Sequence, residues 1–198
     1  MRGRVLFLKN TVGTPRAILK PPGGHRIDIV DQYDLTPEVL EGTKVLLLGQ
    51  HLDEHHLKGM QGFLEVFLEK GGGIAVMGPI AQRLLPVLSP HRPVGSGSRG
   101  DWILEIAEPH PVMAGVRAKD LTYRKGVVGF WARGTIPPCA DAKILTRFAA
   151  SEAAADWLWE SARGGKLFVH PGNDVWGYVD EPNTSALVFP QLLDWMAA

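Results

Sequence analysis

Four short apolar runs stand out in the first part of the chain: Val5–Leu8, Ile27–Val30, Val45–Leu48 and Ile74–Met77. Each is nearly continuous instead of alternating. That pattern predicts strands of a parallel sheet, covered by packing on both faces. The connections between them carry helix-start signals. Thr14-Pro15 and Thr36-Pro37-Glu38 each read as an N-cap followed by proline at the first helical position. The third connection has the strongest helical pattern. Asp53 caps it, and Leu57, Met60, Leu64, Phe67 and Leu68 form an apolar stripe at helical spacing. Lys70 followed by Gly71-Gly72-Gly73 ends it. Gly59 and Gly62 weaken this helix by about 1 kcal/mol each relative to alanine, which points to close packing on the sheet. Strands alternating with helices predict βαβ units with right-handed crossovers.

The second half has a different texture. Pro86 to Gly100 is rich in Pro, Gly and Ser and reads as a surface loop, and all six tryptophans follow it. Trp102–Ala107, Val127–Trp131, Ile144–Phe148 and Asp156–Trp159 read as strands, some antiparallel. Ala162 to Gly165 reads as a hairpin turn into a strand over Lys166–His170. A closing helix is predicted from Ser185 to Met196, with Leu187, Leu192, Leu193 and Met196 facing inward. Pro190 marks either a kink or the start of that helix. No charge run or linker separates the halves, so residues 1–198 read as one α/β domain.

Charge narrows the partners. The 21 basic and 21 acidic residues cancel, which argues against nucleic acid or an anionic membrane surface. No apolar stretch approaches the roughly 18 residues of a spanning helix. Met1 to Lys9 lacks a secretory pattern, so a cytoplasmic protein is expected. The single cysteine, Cys139, excludes a disulfide within the chain and a four-cysteine zinc site.

In open α/β sheets ligands bind beyond the carboxyl ends of the strands. There the chain places Lys9-Asn10, Gln50-His51, Gly78-Pro79, and His170-Pro171-Gly172-Asn173-Asp174 with Trp176 and Tyr178 just after. Asn10, Gln50, His51, His170, Asn173, Asp174, Trp176 and Tyr178 are therefore expected to line one small-molecule pocket. Trp131, Trp159, Trp176 and Tyr178 offer apolar faces of the kind that stack on sugar rings. Trp176 is the strongest of these, because it follows the Asn173-Asp174 pair, and its replacement by alanine is expected to leave the fold intact. His51, Glu54 and His55 match an H-x-x-E-H string, but Asp53 as N-cap leaves His51 outside the helix that such a zinc motif requires. His51, His170 and Asp174 together are a chemically allowed zinc set. No metal and no cofactor is assigned.

The chain offers little that could act as a nucleophile. Cys139 sits in Ile136-Pro137-Pro138-Cys139-Ala140 with no histidine nearby in sequence, and reads as an inert thiol. Gly95-Ser96-Gly97-Ser98 has no strand leading into it and reads as flexible loop. Gly71-Gly72-Gly73 precedes a strand, the wrong order for a dinucleotide fingerprint.

The order of these elements is distinctive when joined to Glu108-Pro109-His110-Pro111-Val112, Gly115 and Tyr123. Trp157, Gly164-Gly165-Lys166-Leu167-Phe168, Pro171-Gly172-Asn173-Asp174 and Leu192-Leu193-Asp194-Trp195 complete it. The chain resembles the ThuA-like (trehalose utilisation) branch of the class I glutamine amidotransferase-like superfamily. The resemblance implies a flavodoxin-like, doubly wound, mostly parallel sheet with additional antiparallel strands in the C-terminal half. It also implies a nucleophile-elbow position after the fourth strand. True glutamine amidotransferases carry Cys there; this chain has Val76-Met77-Gly78-Pro79-Ile80, which offers no attacking side chain. Members of the branch lack that Cys too. His51 fits a strand-end histidine of the branch and Asn10 a polar position after the first strand. Asn173 replaces a family histidine, and Pro79 replaces a polar residue. The resemblance implies a role in sugar metabolism, on a disaccharide or keto-sugar, without glutaminase activity. The alternative is a non-catalytic amidotransferase-like domain that binds a small molecule or a partner and regulates. A homodimer is the one self-association left open.

Overall fold

The computed structural model describes residues 3–10 and 13–198. Met1 and Arg2, which open the segment searched for a secretory pattern, lie outside the described residues. The strands are β1 (Arg4–Lys9), β2 (Ile27–Asp31), β3 (Thr43–Leu48), β4 (Gly73–Met77), β5 (Arg92–Pro93) and β6 (Leu104–Ile106). They continue with β7 (Tyr123–Arg124), β8 (Val127–Val128), β9 (Gly134–Thr135), β10 (Lys143–Phe148), β11 (Ala154–Glu160) and β12 (Lys166–His170). The α-helices are α1 (Arg16–Leu19), α2 (Glu54–Gly59), α3 (Gln61–Glu69), α4 (Ala118–Thr122) and α5 (Val188–Ala197).

Eight strands form one mixed sheet in the order β2-β1-β3-β4-β12-β11-β10-β6. The pairings from β2 through β12 are parallel, and those from β12 through β6 are antiparallel. Three of the four early apolar runs, β1, β3 and β4, are strands covered on both faces, while β2 is an edge strand whose residues are only half-buried and whose Ile29 is exposed. Val5, Phe7, Val45, Leu47, Ala75 and Met77 face a cluster that includes Leu192, Leu193 and Met196 of α5. The alternate residues Leu6, Leu8, Leu46, Leu48, Ile74 and Val76 face Leu57, Leu64, Phe67 and Leu68 of α2 and α3. Burying each such side chain contributes about 1.5–3 kcal/mol. Strand β12 slots between β4 and β11, which sets His170 opposite Met77 and brings two strand ends together.

Local signals are kept where the backbone uses them. The Asp53 carboxylate accepts the His56 N–H at 3.0 Å and caps α2. The apolar stripe continues through Met60, where φ −98° and ψ 2° divide the segment into α2 and α3. Gly71 (φ 85°) ends α3, and the Gly72 N–H reaches back to Phe67 O at 2.9 Å. The turn before β12 forms as expected, with the Ser161 N–H on Gly165 O at 2.8 Å and Gly164 at φ 83°. Among the described residues no helix is long and apolar enough to cross a membrane.

Several expectations change. Thr14 does not cap α1; Pro15 holds the N-cap position and the helix is only four residues long. Thr36 binds the Val39 N–H at 3.4 Å but heads a turn over residues 37–42, since Gly42 at φ 69° stops any helix there. Gly59 and Gly62 are exposed, and a methyl group at either would touch nothing within 4 Å, so close packing does not explain them. The Gly95–Ser98 stretch is tied down: Asp101 Oδ2 accepts the N–H groups of Ser96, Gly97 and Ser98 at 2.8, 3.1 and 2.9 Å. The strand expected over Val127–Trp131 stops at Val128, where Gly129 (φ 80°) turns the chain and Trp131 enters the core. Pro190 lies in the first turn of α5, where its missing N–H leaves no helical bond unmade, so it marks the start and not a kink. Leu187 precedes that helix and is 38% exposed, while Leu192, Leu193 and Met196 are buried.

Candidate functional site

The carboxyl ends of β1, β3, β4 and β12 lie side by side, and the polar residues beyond them do converge. They converge on one another. Asn10 donates from Nδ2 to Gln50 O at 2.5 Å. The Gln50 N–H donates to Asp174 Oδ1 at 2.8 Å, and its side-chain amide to Gly172 O at 2.7 Å and Asn173 Oδ1 at 3.2 Å. Asn173 Nδ2 and the Tyr178 hydroxyl both donate to Phe130 O, at 2.8 and 2.7 Å. The result staples the loops after β1, β3 and β12 together. At the elbow, the Gly78 N–H binds His170 O at 2.9 Å. Gly78 sits at φ 90°, and a β-carbon there would lie 2.8 Å from Gln50 Cγ, so glycine is required on both counts.

Beneath this layer is a buried aspartate–histidine pair. His170 Nδ1 lies 2.5 Å from Asp156 Oδ1, and both side chains are 0% exposed. His170 Nε2 donates to Asn173 O at 2.8 Å, because a carbonyl only accepts. Asp156 Oδ2 accepts the Trp131 indole N–H at 2.8 Å and the Thr146 hydroxyl, and the Asp156 N–H returns to Thr146 Oγ1 at 3.1 Å. Both ring nitrogens of His170 are thereby engaged within the protein. His170 is a core histidine and not a pocket residue, and it cannot complete a zinc set with His51 and Asp174. Asp156 and Thr146 escaped the sequence reading, and Trp131, read there as a stacking face, instead donates its indole N–H to Asp156. One signal was present: an acid inside the apolar strand Ala154-Ala155-Asp156-Trp157-Leu158 needs a buried partner.

Trp176 is also a core residue, contrary to expectation. It is 2% exposed and packs edge-on against Phe7 and Phe189, at centroid distances of 5.4 and 5.8 Å. The short Val175–Tyr178 helical turn rolls both aromatics inward. Tyr178 is buried under the Arg124 guanidinium at 4.7 Å, and its burial pushes the phenol pKa up to about 12. Trp131 is buried as well, so neither it nor these two offers a stacking face.

His51 is exposed, at φ 64° between β3 and α2. The H-x-x-E-H string has a structural use: Glu54 Oε2 accepts the N–H groups of Ala81 and Gln82, each at 2.7 Å, and His55 is exposed. Cys139 is half-buried, and burial followed by the charge of Asp141 pushes its thiol pKa up, the opposite of an activated nucleophile.

Two open clefts meet at Gln50 and Pro79. One, of about 170 Å³, includes His51, Glu54 and Gly78 among its walls. The other, of about 440 Å³, is walled by His91, Phe130, Arg133, Pro171 and Asn173. Gln50 lines both, and Asp174, which lines neither, accepts the Gln50 N–H. Burial raises its pKa, opposed by the Gln50 N–H, by His170 and His51, and by the Trp176 indole, which makes no well-formed hydrogen bond. Because the folded pKa is raised, folding disfavours the charged form. Stability therefore falls as pH rises from below the ordinary carboxylate range through the folded pKa. Asp174→Asn keeps an oxygen for the Gln50 N–H and loses the charge. The variant is expected to be at least as stable as the parent above about pH 4, with the advantage vanishing in more acid solution. Urea melts at a series of pH values check this; a variant destabilised equally at every pH contradicts it.

No family model and no curated protein sequence matches this chain. Solved structures share its fold. The mmIFT52 N-terminal domain superposes with a TM-score of 0.64 at 12% identity, over 98% of this chain and 96% of its own. The cytoplasmic protein STM3548 from Salmonella typhimurium gives 0.61 at 14% identity, over 98% and 99%. A cold-adapted β-galactosidase from Rahnella sp. R3 gives 0.51 at 13% identity, over 87% of this chain, which spans 25% of that enzyme.

Proposed function

We propose that this protein is a non-catalytic, amidotransferase-like module that binds a small molecule at the carboxyl edge of its sheet. In this reading it belongs to the ThuA-like branch, with a flavodoxin-like, doubly wound topology, and works in the cytoplasm. One observation carries the absence of chemistry. The elbow is Gly78-Pro79, with no side chain to attack a carbonyl, and the adjacent acid–base pair, Asp156 and His170, is sealed from solvent with its ring nitrogens engaged. The ligand seat in this reading is the larger cleft. Its volume falls within the roughly 300–1,000 Å³ of small-molecule sites. Phe130, 36% exposed, provides an accessible aromatic face there beside Gln50 and Asn173. That face is what supports a sugar as ligand, the role first sought in Trp176.

The test is direct. Purified protein incubated with glutamine, disaccharides and keto-sugars is expected to release no ammonia and to turn over no sugar. A ligand at about 100 times its dissociation constant is expected to add roughly 2.7 kcal/mol of apparent stability. Phe130→Ala should remove that gain. Ammonia release abolished by Cys139→Ala, or measurable sugar turnover, would overturn the reading.

A further inference from the structure

Arg133 on the wall of the larger cleft is held in one orientation. Its Nε donates to Gly129 O at 2.9 Å, and its guanidinium stacks on the Trp102 ring at 4.8 Å. Trp102 is itself fixed by its indole N–H on Val94 O at 3.3 Å, and the Val94 N–H binds the Arg133 carbonyl at 3.1 Å. Gly129 makes room for the stack: a β-carbon there would lie 2.7 Å from the Trp102 ring and 3.0 Å from Arg133 Nε. With Nε tied and the plane stacked, the outer fork of the guanidinium is the part left over. Among the described residues its two terminal nitrogens make no hydrogen bond or ion pair.

The rest of the wall fits that fork. None of the cleft-lining residues is acidic. His91 is half-buried, and burial lowers its pKa, so near neutral pH it faces the cleft as an uncharged imidazole. Pro79, Phe130 and Pro171 add apolar surface, while the side chains of Gln50 and Asn173 already bond within the protein. A planar cationic fork, oriented in advance and without a counter-charge, matches the two oxygens of a carboxylate or phosphate. Pre-orientation also lowers the entropy lost on binding.

Resting on the binding-module reading, we propose that the ligand of this cleft is a small organic anion, gripped through its carboxylate or phosphate by Arg133. Isothermal titration of the full chain with glucose, glucose 6-phosphate, acetate and inorganic phosphate tests it, the last two separating carboxylate from phosphate recognition. Glucose 6-phosphate is expected to bind at least about tenfold tighter than glucose, with affinity falling as salt rises. Arg133→Gln should weaken the anion by about 10- to 100-fold, the range of a charged hydrogen-bonded pair. Arg133→Lys, which keeps the charge and loses the fork, should fall between. Arg163→Gln, in the turn before β12, should change nothing. Glucose binding as tightly as its phosphate, with Arg133→Gln neutral, would overturn the anion and leave the binding module standing. Turnover of a bound anion would overturn the non-catalytic reading and leave the anion standing. If none of the four probes binds, both fall.

Discussion

Asp156→Ala is expected to cost about 3–5 kcal/mol, because it leaves three buried hydrogen-bonding groups without their partner. Against a total stability of about 5–15 kcal/mol, that is enough to unfold a substantial part of the population. The reason lies in what is left behind. Removing the carboxylate strands His170 Nδ1, the Trp131 indole N–H and the Thr146 hydroxyl, all facing a site closed to water. Each orphaned polar group costs about 1–3 kcal/mol. The loss also reaches the carboxyl edge, because His170 anchors Asn173 O and Asn173 in turn anchors Phe130 O. Asp156→Asn is expected to cost less, since it keeps two polar atoms in place. Equilibrium urea denaturation reads both variants. An alanine variant as stable as the parent would show that the pair contributes nothing net, and the account of the sealed edge would fail with it.

Trp176→Ala is expected to lose about 3–5 kcal/mol through the cavity it opens between Phe7 and Phe189. For a chain of this length that corresponds to a fall in melting temperature of roughly 6–20 °C. Trp176→Phe supplies a finer check. It restores much of the apolar volume and deletes an indole N–H that has no hydrogen-bond partner in the buried state. It should therefore retain most of the stability the alanine variant loses. A Trp176→Ala protein melting within a few degrees of the parent would return this side chain to the surface role read from the sequence.

The strand runs β1, β3 and β4 were legible because burial on both faces leaves an unbroken apolar run, a property of each segment alone; β2, at the sheet edge with Asp28 inside its run, was legible from its β-branched residues. Asp53 as a cap and the turn before β12 were legible for the same reason: their hydrogen bonds close within a few residues, His56 to Asp53 and Ser161 to Gly165. The gathering of Asn10, Gln50, Asn173 and Asp174 at one edge followed from a rule about strand ends. Whether these side chains face a ligand or each other did not. Their bonds join residues far apart in the chain, Gln50 with Asp174 across 124 positions and Tyr178 with Phe130 across 48. Insertion of β12 between β4 and β11 made those partners neighbours. A Trp beside an Asn-Asp pair reads the same whether the next turn rolls it outward or in. For Trp176 the helical turn at Val175–Tyr178 and the apolar face of α5 decided the matter, because an indole gains most where Phe7 and Phe189 already exclude water. Sequence alone determined which segments bury both faces and where they turn; tertiary packing determined which polar groups satisfy one another, because hydrogen-bond partners are chosen by distance in space and not along the chain.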